Sequence, residues 1–177
     1  MKVSPFTISL LLLIPITAIG YSLPEPQLVQ AQNNFVLFGG GKDSTLAYTI
    51  RSNRANARLN AINFFARLPK SKAIAEIQVF YPEGFASVFN PENIKIVDRN
   101  SRNIIEVKEA ISDRQIRAVR FVFKEPISAN KSREIEIVSL GGSNPANSGM
   151  YRIELQAIGT EANPLFQYIG QWLVNIS

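Results

Sequence analysis

The chain has 177 residues, of which 46% are hydrophobic and 19% are charged, and its formal net charge at pH 7 is +5. This length and composition are typical of one folded domain and not of a disordered polypeptide. Cysteine and histidine are both absent, which excludes disulfides, thiolate nucleophiles, Cys/His metal sites and a Ser-His-Asp triad. Most types of catalytic and metal site are thereby excluded, and we expect no cofactor, no metal site and no catalytic residues.

The N-terminal segment has the pattern of a secretory signal peptide. Lys2 precedes an uncharged, leucine-rich run over residues 6–20, and about 15 residues is short for a membrane span but suits a signal segment. Cleavage after Ala31 is predicted, which makes residues 1–31 the signal peptide and 32–177 a single domain. Cleavage after Gly20 and an uncleaved membrane anchor are the alternatives. The segment predicts export to the periplasm or cell envelope, or out of the cell.

The rest of the chain alternates apolar and polar residues with a period of two, which is typical of strands with one buried face. The pattern predicts strands over residues 61–68, 73–81, 115–124, 133–140, 150–158 and 166–176. Turn-forming residues separate them, and only residues 84–90 suggest a helical turn. The last segment is apolar at both its odd-numbered and its even-numbered positions, so we expect a central strand covered on both faces. The predicted fold class is all-β, an immunoglobulin-like antiparallel β-sandwich.

One strand pairing is specific enough to be tested. If residues 119–123 pair antiparallel with residues 133–137 across a turn at Pro126, Arg120 approaches Glu136 on the solvent face. Such a cross-strand charge pair contributes about 0.2–1 kcal/mol. The sequence therefore predicts a hairpin whose register is set by its inward-facing apolar groups.

The candidate binding surface is cationic. Between Asp43 and Glu76 the chain carries six basic residues and no acidic one, and clustered cations hold phosphate, sulfate or carboxylate groups. The predicted contact residues are Arg51, Arg54, Arg58, Lys70 and Lys72. The alternative is a solvated basic edge that prevents strands from pairing between molecules.

Other motifs are weaker evidence for a binding or catalytic site. The glycine run at 39–41 lacks the first glycine of a phosphate-binding loop, and the segment 98–103 places arginines inside a would-be calcium loop, so it is interpreted as a polar hairpin turn. Tyr168 and Trp172 share one parity of the last strand, which indicates core packing in preference to a carbohydrate-stacking platform. Two carboxylates could support glycan hydrolysis, but no acidic residue lies in a distinctive motif.

Several segments together resemble a known family. They are 63–69 (NFFARLP), 126–128 (PIS), 134–137 (EIEI), 148–153 (SGMYRI) and 166–170 (FQYIG), within residues 34–175. With the signal peptide, they resemble small exported cyanobacterial proteins known only as a domain of unknown function. The resemblance implies export and a small β domain, and it implies no activity and no catalytic residues.

These observations favour a non-enzymatic binding or structural module of the cell envelope. Its expected partner is an anionic envelope component or a protein, and not a nucleic acid, because exposed aromatic residues between the cations are not evident and export removes that partner. Contact with a membrane is expected only through an uncleaved signal segment. The alternatives are a carboxylate-dependent glycan hydrolase and a lumenal or periplasmic subunit of a larger complex, the latter marked by an exposed apolar patch.

Overall fold

The computed structural model describes residues 45–129 and 133–177. The predicted signal peptide, its cleavage sites and the glycine run at 39–41 lie outside these residues. The described chain forms nine strands, with two short 3₁₀ turns between the third and fourth. The strands are β1 (Tyr48–Ile50), β2 (Ala61–Arg67), β3 (Ile74–Phe80), β4 (Ile94–Asp98), β5 (Val107–Asp113), β6 (Ala118–Ile127), β7 (Glu134–Leu140), β8 (Gly149–Gly159) and β9 (Gln167–Ile176).

The strands form two antiparallel sheets, in the orders β1-β2-β7-β4 and β5-β6-β3-β8-β9. An immunoglobulin constant-type sandwich has strands A, B, E and D in one sheet and C, F and G in the other. Taking β1, β2, β3 and β4 as A to D and β7, β8 and β9 as E to G reproduces that order. The hairpin of β5 and β6 is an insertion between D and E that extends the second sheet beside strand C. The predicted immunoglobulin-like β-sandwich is therefore confirmed.

The core lies between the two sheets and is mainly aromatic and aliphatic. Phe64 of β2 stacks on Phe89 with ring centroids 5.2 Å apart, and it contacts Trp172 of β9 at 5.1 Å. The Trp172 indole Nε1 donates to the carbonyl oxygens of Ala47 and Phe65 at 3.1 and 3.0 Å. Because β9 belongs to one sheet and Phe65 to the other, this side chain joins the two layers.

The predicted hairpin between residues 119–123 and 133–137 is wrong. Strand β6 pairs with β3 and β5, whereas β7 lies in the other sheet between β2 and β4. Arg120 therefore forms its ion pair with Glu76 of β3, at 3.6 Å, and Arg102 supplies the cation for Glu136 at 3.2 Å. The alternation of apolar residues predicts which face of a strand is buried, but it contains no information on which sheet the strand joins.

The prediction that the last segment is a central strand is also wrong. Strand β9 is an edge strand, and β3 lies at the centre of its sheet. The apolar residues on its outward parity, such as Leu173, are only half-buried. The free edge of β9 receives the amide of Leu46, which donates to the Gln171 carbonyl at 2.7 Å.

Candidate functional site

The structure separates the five predicted contact residues into two groups. Arg51, Arg54 and Arg58 lie in the connection from β1 to β2, which we call the arginine loop (residues 51–58). Lys70 and Lys72 lie in the connection from β2 to β3. Strand β2 lies between these connections, and its seven residues span about 20 Å at about 3.3 Å per residue. The two groups are therefore at opposite ends of the sandwich and do not form one surface.

The lysine end is tied into the fold. Lys72 forms an ion pair with Glu161, in the connection from β8 to β9, and this hydrogen bond holds the pKa of Glu161 below its ordinary value. The buried Arg133 donates to the main-chain carbonyls of Lys72, at 2.8 Å, and Ile127, at 3.4 Å. Only Lys70 is left as an exposed cation of the predicted pair, so this end has little free positive charge for a ligand.

The arginine loop is held in one conformation by the connection from β7 to β8. Asn144 is buried, and its side-chain Nδ2 donates to the carbonyls of Ser52 and Arg54, both at 2.8 Å. Its main-chain amide donates to the Ala57 carbonyl at 2.9 Å. A loop fixed by such bonds loses little conformational entropy when a ligand binds to it.

The end of β9 provides a second set of contacts to the arginine loop. The amide of Ala55 donates to the Ser177 carbonyl at 2.8 Å, and the Ser177 amide donates to the Asn53 carbonyl at 2.7 Å. Asn56 adopts a left-handed conformation with φ of 57°, which asparagine tolerates better than most residues. These bonds keep the three arginines on an ordered segment.

The three guanidinium groups of the arginine loop have no ion-pair partner within residues 45–129 and 133–177. The ion pairs of that part of the chain lie elsewhere: Arg67–Glu134, Lys72–Glu161, Arg99–Glu134, Arg102–Glu136, Arg120–Glu76, Lys124–Glu106 and Arg152–Glu154. Arg51, Arg54 and Arg58 are all exposed. The loop therefore presents to solvent three positive charges that no described residue compensates.

A cavity that sequence analysis missed adjoins this loop. It has a volume of about 340 Å³ and is lined by Thr49, Ile50, Arg51, Asn60, Ala61 and Asn63. The signal in the sequence is Asn63, an amide in a strand that is otherwise apolar up to Arg67. The other polar neutral residues of the lining, Thr49 and Asn60, come from outside that strand. Only the pairing of β1 with β2, which sets Thr49 opposite Asn63, brings them together.

A network of charges covers the outer face of the four-stranded sheet near the lysine end. Glu134 binds Arg67 and lies 3.8 Å from Arg99, whose guanidinium stacks on Phe65 at 4.5 Å. The hydrogen bond and the charge of Arg67 lower the pKa of the Glu134 carboxyl. Because each acid here is matched by a cation, the network is satisfied internally.

Acidification should weaken this network, because the Glu134 carboxyl becomes protonated. A carboxyl whose pKa is lowered by folding stabilises the native state above its unfolded pKa, near 4.5, and loses that contribution as the pH falls through the lowered value. We expect Glu134→Gln to be less stable than the wild type at neutral pH and to lose less stability on acidification. Urea unfolding at a series of pH values measures this, with the exposed Glu83→Gln as the control. Parallel pH profiles for wild type and Glu134→Gln would contradict the assignment.

One cavity contains the carboxylates that bear on the glycan-hydrolase alternative. A second cavity, of about 720 Å³, is lined in part by Asp98, Glu106 and Glu125. A general acid needs a raised pKa, yet the hydrogen bond from Lys124, at 2.7 Å, lowers the pKa of Glu106. The direction for Glu106 is opposite to that of a general acid.

The structure also shows the positions of segment 98–103, Tyr168 and Trp172. The segment 98–103 is a hairpin turn, as predicted: the Asp98 side chain accepts from the Asn100 amide at 2.8 Å, and Val97 pairs with Ile104. Trp172 is buried, as expected, but Tyr168 is exposed, because a register shift in β8 and β9 turns it to the outer face. Leu165 and Phe166 are also exposed beside Tyr168, and the alternative of a subunit in a larger complex rests on this patch.

No helix in the described part of the chain is long and apolar enough to cross a bilayer. In the same part, no group of acidic side chains is arranged to hold a metal ion.

Comparison with solved structures identifies proteins of similar architecture. The structure of BslA, a bacterial hydrophobin, is 14% identical, with 75% of this chain and 92% of that chain covered and a TM-score of 0.50. A collagen-binding domain from a Staphylococcus aureus adhesin is 9% identical over 66% of this chain and 87% of its own, with a TM-score of 0.37. The human F-spondin reeler domain is 10% identical over 75% and 91%, also with a TM-score of 0.37. These likenesses concern the fold alone.

No curated protein sequence matches the chain. A family model does match it, over residues 35–176, which cover nearly the whole predicted domain. The chain therefore belongs to the family described as "Protein of unknown function (DUF2808)".

Proposed function

We propose that this domain is a non-enzymatic binding module of the cell envelope that contacts an anionic partner through its arginine loop. The observation that carries the proposal is the set of three arginines, exposed and without ion-pair partners in the described residues, on a loop fixed by Asn144 and Ser177. Several cations elsewhere on the domain are paired with carboxylates, whereas all three arginines of this loop lack such a partner among the described residues.

Export of the domain supports an envelope partner and rests on the signal-peptide pattern of residues 1–31. The bacterial hydrophobin BslA shares the two-sheet architecture, which is compatible with a structural or surface role and does not specify one. Guanidinium groups bind carboxylate, sulfate and phosphate with paired hydrogen bonds. Acidic polysaccharides and anionic lipid headgroups both present such groups in an envelope.

The test is salt-dependent retention on two anionic surfaces, immobilised polygalacturonate and vesicles containing phosphatidylglycerol. We expect the triple variant Arg51→Gln, Arg54→Gln, Arg58→Gln to bind about 100-fold more weakly, since each basic residue contributes about 1 kcal/mol at an anionic surface. Wild-type retention should fall as ionic strength rises, because salt screens exposed charges.

The matched control removes the same net charge from another part of the domain. Lys108, Arg114 and Arg117 are exposed and lie in the β5–β6 hairpin, without ion pairs to described residues. Changing these three to Gln should leave most of the retention in place. If this control and the arginine-loop variant weaken binding equally, net charge and not the loop is responsible, and the proposal fails.

A further inference from the structure

The cavity beside the arginine loop combines one cation with neutral polar groups. Among the described residues of its lining Arg51 is the only charged one, and Thr49, Asn60 and Asn63 contribute a hydroxyl and two amides. Ile50 and Ala61 complete the walls with apolar surface. Its volume of about 340 Å³ is at the lower end of the range of about 300–1,000 Å³ for small-molecule sites.

One atom of this lining is unsatisfied. The side-chain Oδ1 of Asn63 is buried and accepts no hydrogen bond from the described residues. A buried acceptor without a donor costs about 1–3 kcal/mol, so its presence in a strand needs an explanation. The neighbouring strands account for the Asn63 main chain, which pairs with Thr49 on one side and Val138 on the other. This oxygen has almost no solvent-accessible surface, so a ligand hydroxyl in the cavity would satisfy it once the amide rotates towards the cavity.

We propose that this cavity binds one sugar unit that carries a carboxylate, a uronate, within an acidic polysaccharide. The inference rests on the proposed function and specifies its ligand. Arg51 binds the carboxylate, Asn63 accepts a sugar hydroxyl, and Asn60 and Thr49 bind the remaining hydroxyls. Arg54 and Arg58, which do not line the cavity, attract further carboxylates of the same polymer.

The composition of the lining favours a uronate over a free phosphate or sulfate ion. A single guanidinium matches the single charge of a carboxylate, and two amides with a hydroxyl match a ring that presents several hydroxyl groups. The apolar side chains Ile50 and Ala61 suit the C–H surface of a sugar ring. A doubly charged free ion without neighbouring sugar hydroxyls would leave the amides and the hydroxyl without ligand partners.

The test is calorimetric titration of the purified protein with a galacturonate oligomer. Arg51→Gln should weaken binding about ten- to a hundredfold, as for a hydrogen bond to a charged group, and Asn60→Ala about three- to tenfold. Arg54→Gln, on the same loop but outside the cavity, is the matched control and should weaken binding less than Arg51→Gln. Asn60 is exposed at the end of the loop, so its substitution should not prevent folding.

The outcomes separate this inference from the proposed function. If the triple arginine variant loses retention but Arg51→Gln equals Arg54→Gln and Asn60→Ala equals the wild type, the uronate site is wrong and anion binding stands. Binding to phosphatidylglycerol vesicles without binding to the oligomer would also refute the uronate site and leave anion binding in place. If the triple variant retains polygalacturonate and vesicles as the wild type does, both are wrong.

Discussion

Trp172→Ala should lower the free energy of unfolding by about 3–5 kcal/mol, the cost found when a large aromatic side chain is removed from a core. Trp172 is fully buried and contacts Phe64, and its indole hydrogen bonds reach across to the other sheet. Trp172→Phe keeps an aromatic ring but loses the N–H donor. It should cost about 1–3 kcal/mol, because the carbonyls of Ala47 and Phe65 lose that partner.

Urea unfolding measures these differences, and Leu173→Ala is the control from the adjacent position. Leu173 faces outward and is half-buried, so its truncation should cost clearly less than that of Trp172. Equal losses for the two alanine variants would mean that the last strand does not hold the sheets together as described.

Asn144→Ala is the second substitution with a large expected effect. It removes the donor to the Ser52 and Arg54 carbonyls from a buried position, and a buried group left unpaired costs about 1–3 kcal/mol. Since those carbonyls belong to the arginine loop, anion binding should fall together with stability. Amide exchange at Ala55 and Asn56 should accelerate, because local opening governs exchange in such segments.

The exposed Asn147→Ala, in the same connection, is the control for Asn144 and should change neither property. Binding of polygalacturonate and urea unfolding are measured on the same preparations. Full binding by a destabilised Asn144→Ala protein would show that the loop does not need this side chain to present its arginines.

The sequence predicted the buried faces of the strands better than their partners. Alternation correctly assigned Phe121 and Phe123 to the core, and Ile153 and Leu155 likewise, because burial follows directly from the pleat of a strand. Pairing depends on how connections cross between sheets, so the proposed hairpin of β6 with β7 failed. Strand β5 escaped prediction because its residues are mostly exposed and give no alternation.

The candidate site was predictable only in part. A run of cations without acids marked Arg51, Arg54 and Arg58, but proximity in sequence placed Lys70 and Lys72 in the same surface. A strand of seven residues separates them in space. The cavity could not be predicted from spacing, because its polar groups come from both β1 and β2 and from the residue that precedes β2.

Chemical-shift mapping of the ¹⁵N-labelled protein during titration with a galacturonate oligomer is the most direct measurement of where an anion binds. We expect the perturbed resonances to include the side-chain groups of Arg51 and Asn63 and the main-chain amides of the arginine loop. Perturbations confined to the opposite end, around Lys70 and Lys72, or to the outer face bearing Tyr168, would contradict the account.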